Sequence, residues 1–191
     1  MKNLLLACFT AFSILTACND KKESDKKFIS VYSLIKSQVD HIDTSLYSIM
    51  KLVSSDTLPP DTSYVSRENF ATEAKEFLEL PDLANPKIAK RFREVAPRYD
   101  EFLNRVVFTY LPVDSIKEEY KSIELTITPN VATGDKVRNI FATRVINNRD
   151  SFMKKNMLWL MDRSFQVTTI LQKPGLPETT TTTKLIWNEE N

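Results

Sequence analysis

The chain has 191 residues, 26 basic and 25 acidic, and is about one domain long. A formal charge of +1 gives no field to gather nucleic acid or an acidic substrate. Two glycines, Gly134 and Gly175, cannot build a Gly-rich phosphate loop, and His41, the single histidine, cannot build a multi-histidine metal site, so no cofactor is expected.

In chain order, a short basic start with Lys2 is followed by an apolar run over 4–17. The run is shorter than the roughly 20 residues a spanning helix needs, and it has the length of a signal-peptide core. It ends in Leu15-Thr16-Ala17-Cys18. These four residues resemble the lipobox of bacterial lipoproteins: Leu, a small residue, then Gly, Ala or Ser, then Cys. The resemblance implies that 1–17 are removed and that Cys18 carries a diacylglyceryl group, usually with a third chain on the new amino terminus. Two or more acyl chains anchor a protein stably. The partner so implied is membrane lipid, and the place is the cell envelope. Asn19 stands where an Asp would favour inner-membrane retention, which points to the outer membrane; Asp20 is a counter-signal. With Cys8 discarded and Cys18 acylated no free thiol remains, which removes disulfides, thiolate metal sites and Cys nucleophiles. Residues 18–27 read as a polar, mixed-charge tether.

Residues 28–191 read as a single domain. Apolar residues at Phe28, Tyr32, Ile35, Val39, Ile42, Leu46, Ile49 and Val53 alternate spacings of four and three, which predicts one long heptad-patterned helix over 28–53. Its seam can pack inside the chain or pair with another molecule; sparse flanking charges favour the first. His41 falls beside the seam as a surface residue. Residues 54–65, with Pro59-Pro60, predict a loop. Ser66 then predicts a helix cap, with a helix over 67–80 that Pro81 ends. Asn85-Pro86 predicts another helix start, and Ile88, Phe92, Val95, Tyr99 and Phe102 continue the helical period, kinked at Pro97. Lys87, Lys90, Arg91, Arg93 and Arg98 give this segment basic character, read mainly as a solvated face.

From residue 104 the pattern becomes alternating and β-branched. Strands are expected over 105–111, 122–128, 137–147, 152–160, 164–172 and 178–188, separated by turns too short for parallel crossovers. The fold class expected is α+β: one long helix and two or three shorter ones packed on a curved antiparallel meander of about six strands.

The composition excludes functions better than it assigns one. The first reading is a non-enzymatic binding or assembly lipoprotein with an apolar pocket lined by Phe108, Phe141, Met157, Trp159, Phe165 and Trp187; solid core is the competing reading of those six. The second is an interaction lipoprotein that docks an envelope protein through the long helix or a sheet edge. The third is a carboxylate hydrolase. Asp100-Glu101, Glu118-Glu119 and Glu189-Glu190 are adjacent pairs, and adjacent side chains diverge, so none makes a dyad that flanks one bond. Asp56-Thr57-Leu58 and Asp114-Ser115-Ile116 resemble a three-residue O-glycosylation signal of envelope proteins.

Overall fold

The computed structural model of the chain describes residues 28–188. The lipobox, Cys18, the tether and the Glu189-Glu190 pair lie outside the described residues. The elements are α1 (Val31–Thr44), β1 (Ile49–Ser55), β2 (Asp61–Val65), α2 (Arg67–Glu73), α3 (Lys75–Leu78), α4 (Pro86–Ala89), β3 (Phe92–Glu94), β4 (Arg98–Asp100), β5 (Arg105–Pro112), β6 (Tyr120–Thr128), β7 (Lys136–Asn147), β8 (Phe152–Leu160), β9 (Ser164–Gln172) and β10 (Thr179–Ile186). One ten-stranded sheet holds every strand in the order β2-β1-β10-β9-β8-β7-β6-β5-β3, with β4 also on β5.

This overturns the expected fold class. Among the described residues the dominant element is one antiparallel sheet of ten strands, the longest helix has 14 residues, and there is no six-strand meander under a long helix. The 28–53 helix breaks at Ser45, which is extended (ψ 172°) and whose hydroxyl turns back to donate to the Ile42 carbonyl. Leu46 is then 97% exposed and Ile49 begins a strand. Spacing explains the error. Ile49 and Val53 are four apart, an even number, so the same pair shares a face of a helix or of a strand. The seam that forms is Val31, Ile35, Val39 and Ile42, all buried.

The expected 54–65 loop is a hairpin, in which β1 pairs with β2 from Ile49 opposite Val65 to Val53 opposite Asp61. The expected 67–80 helix is broken at Ala74 into α2 and α3. The kinked helix over 88–102 is also overturned. Asn85 does cap one turn, its side chain accepting from Lys87 N–H, but Phe92–Glu94 and Arg98–Asp100 are strands on β5. Pro97 cannot donate a helical bond and holds the residue before it in extended backbone, which suits two short strands better than a kink.

All four helices feed one core on one face of the sheet. Leu125, Ile140, Trp159, Phe165 and Leu185 are successive partners across β6 to β10 and form one buried row. Ile123, Ala142, Met157 and Val167 form the next. Each large side chain so buried contributes about 1.5–3 kcal/mol. Ion pairs fasten the helices to this inner face: Lys51 to Glu73 at 2.7 Å and Lys155 to Glu76 at 2.7 Å.

Phe28 lies edge-on to Tyr110, with ring centroids 5.5 Å apart. Burial, helped by nearby Glu94, pushes the Tyr110 phenol up from 10.0 to about 12. The neutral phenol therefore favours the folded state fully below pH 10, and that contribution is lost as pH rises through about 12. Burial also raises the Tyr120 phenol, so an alkaline titration of phenolate absorbance is expected to show a late component from Tyr110 and Tyr120, with stability falling as Tyr110 ionises near pH 12.

Candidate functional site

The six residues expected to line a pocket do not line one hollow. Trp159, Phe165 and Trp187 belong to a closed aromatic cluster. The Trp159 and Phe165 rings stack at 5.2 Å with an interplanar angle of 19°. Phe77 of α3 meets both rings edge-on or tilted, at 5.1 and 5.2 Å. Phe70 of α2 meets Trp187 at 5.2 Å. Exposures of 0% for Trp159, 1% for Phe165 and 5% for Trp187 make this space filled core. Met157 is also fully buried, and Phe108, paired with Leu125 on β6, is half-buried against the wider core. Phe141 is one residue from buried Ile140, pairs with Glu124 and Leu158, and so lies on the opposite face. The residues that decide the matter, Phe70 and Phe77, carry only an apolar helix pattern in the sequence, and nothing local in that pattern says which strands they will meet.

The cluster is tied to α1 by one polar side chain. Gln38 Oε1 accepts from Trp159 Nε1 at 3.0 Å and from Asp162 N–H at 2.9 Å, while its amide donates to the Asp162 carboxylate. Asp162 holds the β8–β9 turn in the left-handed region, at φ 63°. Gln38 therefore satisfies a buried indole N–H and locks the helix to that turn.

A hollow of about 320 Å3 lies elsewhere, between the β7–β8 and β9–β10 turns, with Arg149, Phe152, Lys173 and Leu176 among its walls. It is a surface depression and includes none of the six residues.

The opposite face of the sheet is the more informative surface. Alternation places Phe141, Leu158 and Leu160 there from β7 and β8, and Ile186, Met50 and Leu52 from β10 and β1. Phe141 and Leu158 are direct partners, as are Met50 and Ile186. None of the six belongs to the core cluster, and all four helices pack on the other side. Gln166, Lys184 and Ser164 interrupt the strip. No sequence signal ranked this face, because β8 carries Met157, Leu158, Trp159 and Leu160 in unbroken succession and either alternate set could face the core.

The remaining candidates are dispersed. Glu118 is buried against the Arg91 guanidinium, whereas Glu119 meets Arg144 at 2.6 Å, so the adjacent pair diverges to separate cations. Arg144 also stacks over the Tyr120 ring at 5.4 Å. Of the basic segment, Arg91 is thus a structural partner, and Lys87, Lys90, Arg93 and Arg98 are exposed. His41 is exposed beside Tyr47. Thr57 and Ser115 are exposed in the β1–β2 and β5–β6 loops. Among the described residues no group of His, Cys, Asp and Glu is placed to hold a metal.

The fold and this surface define an antiparallel β-sheet domain covered by helices on one side and open on the other. Comparison with protein-family models, with curated proteins and with solved structures finds no match.

Proposed function

We propose that the chain is an envelope lipoprotein, anchored through an acylated Cys18, whose domain is a non-enzymatic binding or assembly module that docks an envelope protein on the open face of its sheet. The observation that carries this reading is the set of half-buried Phe141, Leu158, Leu160, Met50 and Leu52, which stands outside the core cluster on the face away from the helices, with Ile186 buried beside Met50. Apolar surface left outside the core of a small domain marks interaction sites, and here two apolar patches, Phe141 with Leu158 and Leu160, and Met50 with Leu52, flank the polar residues Gln166 and Lys184. The filled aromatic cluster directs the reading to this face and away from an apolar ligand held inside. The tether over 18–27 reaches at most roughly 35 Å, which keeps the domain close to the lipid surface.

Mass spectrometry of the intact chain purified from membranes tests the anchor. It is expected to begin at Cys18 and to carry the mass of a diacylglyceryl group. An unmodified chain recovered in the soluble fraction would overturn the anchor and the outer-membrane placement with it.

A further inference from the structure

The two edges of the sheet differ in kind. Unpaired edge strands invite pairing with another chain, and proteins blunt them with short or broken strands, prolines and charges. The β3–β4 edge has all of these. Each strand is three residues long, Pro97 separates them, and they carry Arg93, Glu94, Arg98 and Asp100. The β2 edge has little protection. Asp61–Val65 runs without interruption against β1, with five partners in unbroken register. Its one charge, Asp61, sits at its end, Pro59 and Pro60 precede it, and Thr62-Ser63-Tyr64 are uncharged and exposed, Tyr64 to 74%. Among the described residues nothing pairs with its outer side.

The sequence of this edge is compatible with itself. Paired antiparallel about Ser63, Asp61 faces Val65 of the second copy, Thr62 faces Tyr64, and Ser63 faces Ser63. No like charges oppose, and a serine, which can donate and accept, lies on the two-fold axis. Two-fold dimers are the commonest oligomers, and strand addition supplies main-chain hydrogen bonds without a preformed pocket. Met50 and Tyr64 are partners on the open face, so the join also brings the apolar strips of two copies together. We infer that β2 is a self-association edge, pairing antiparallel with β2 of a second copy about Ser63 to make one sheet continuous across two protomers.

The register makes the inference testable in the full chain in whole cells. Paired residues at the axis have Cα atoms about 4.5–5.5 Å apart, within disulfide range. The two copies of residue 61 would lie roughly 13 Å apart, outside it. Under mild oxidation Ser63→Cys is expected to give a covalent dimer in at least about tenfold higher yield than Asp61→Cys or the unsubstituted chain. Equal yields, or adducts only with other proteins, would overturn the inference. A second pair of variants guards against misfolding. Ser63→Lys and Ser63→Asp should each weaken self-association about fivefold in detergent, and their mixture should restore it. Failure of the mixture to associate, with both variants melting like the unsubstituted chain, would also overturn it. Oligomeric state is read here whether or not Cys18 is acylated, so this inference and the proposed anchor can fail separately.

Discussion

Trp159→Ala is expected to destabilise the domain by roughly 3–5 kcal/mol, the largest effect of any single truncation in the core. The indole is fully buried on β8. It stacks on Phe165 at 5.2 Å and is met by Phe77 at 5.1 Å, Trp187 at 5.5 Å and Phe70 at 6.3 Å. Those neighbours come from β9, from the chain just beyond β10 and from two helices, so no single element can move to close the gap. The loss combines the transfer energy of the indole with the cavity left behind. Domains of this kind have about 5–15 kcal/mol in total, so the variant should sit near the edge of folding. Urea unfolding is expected to show a much lower midpoint with an unchanged slope. A loss under about 1 kcal/mol would mean that the space around Trp159 is loosely filled, and the pocket reading would regain its ground.

The second large effect is expected at Gln38. Gln38→Leu keeps the side-chain bulk but removes both the acceptor for Trp159 Nε1 and the link to the β8–β9 turn. A buried donor left without a partner costs about 1–3 kcal/mol. The Asp162 backbone, in the left-handed region, loses the bond that its own N–H makes to Gln38. A loss of about 2 kcal/mol is expected by urea unfolding, together with faster hydrogen exchange at Asp162. A neutral outcome would show that water replaces the glutamine and that α1 does not depend on this bond.

Much of the sheet could be read from the chain, and the reasons are local. The spans expected as strands from residue 105 onward fall on β5 to β10, because runs of seven or more residues rich in β-branched and aromatic side chains admit few other structures and the turns carry clear punctuation, as at Pro174-Gly175. In the N-terminal half two periods coincide. A spacing of four serves helix and strand alike, which hid β1 behind a heptad pattern. β2, β3 and β4 are too short to show alternation, and they are strands because a neighbouring edge accepts them, a tertiary cause no local window contains.

The candidate site shows the same division. Met157, Trp159, Phe165 and Trp187 were legible as a group, since neighbouring strands of an up-and-down sheet bring them together. Whether they enclose a hollow depends on Phe70 and Phe77, whose docking is set by how α2 and α3 lie on the sheet. Phe141 looks equivalent to them in sequence because β7 and β8 have large residues in both phases, and only the pairing register separates Ile140 from Phe141. The open face became visible as a surface only with that register.

Hydroxyl-radical footprinting read by mass spectrometry is the sharpest test of the outer-face reading. The full chain would be labelled in its own membranes and again after purification. Met50, Phe141 and Leu158 are expected to be protected in membranes and to become reactive on purification, while exposed Phe102 and Val131, at the loop tips, react equally in both. Equal labelling of Met50, Phe141 and Leu158 in the two states would show that nothing covers this face where the protein works, and would contradict its role as the docking surface.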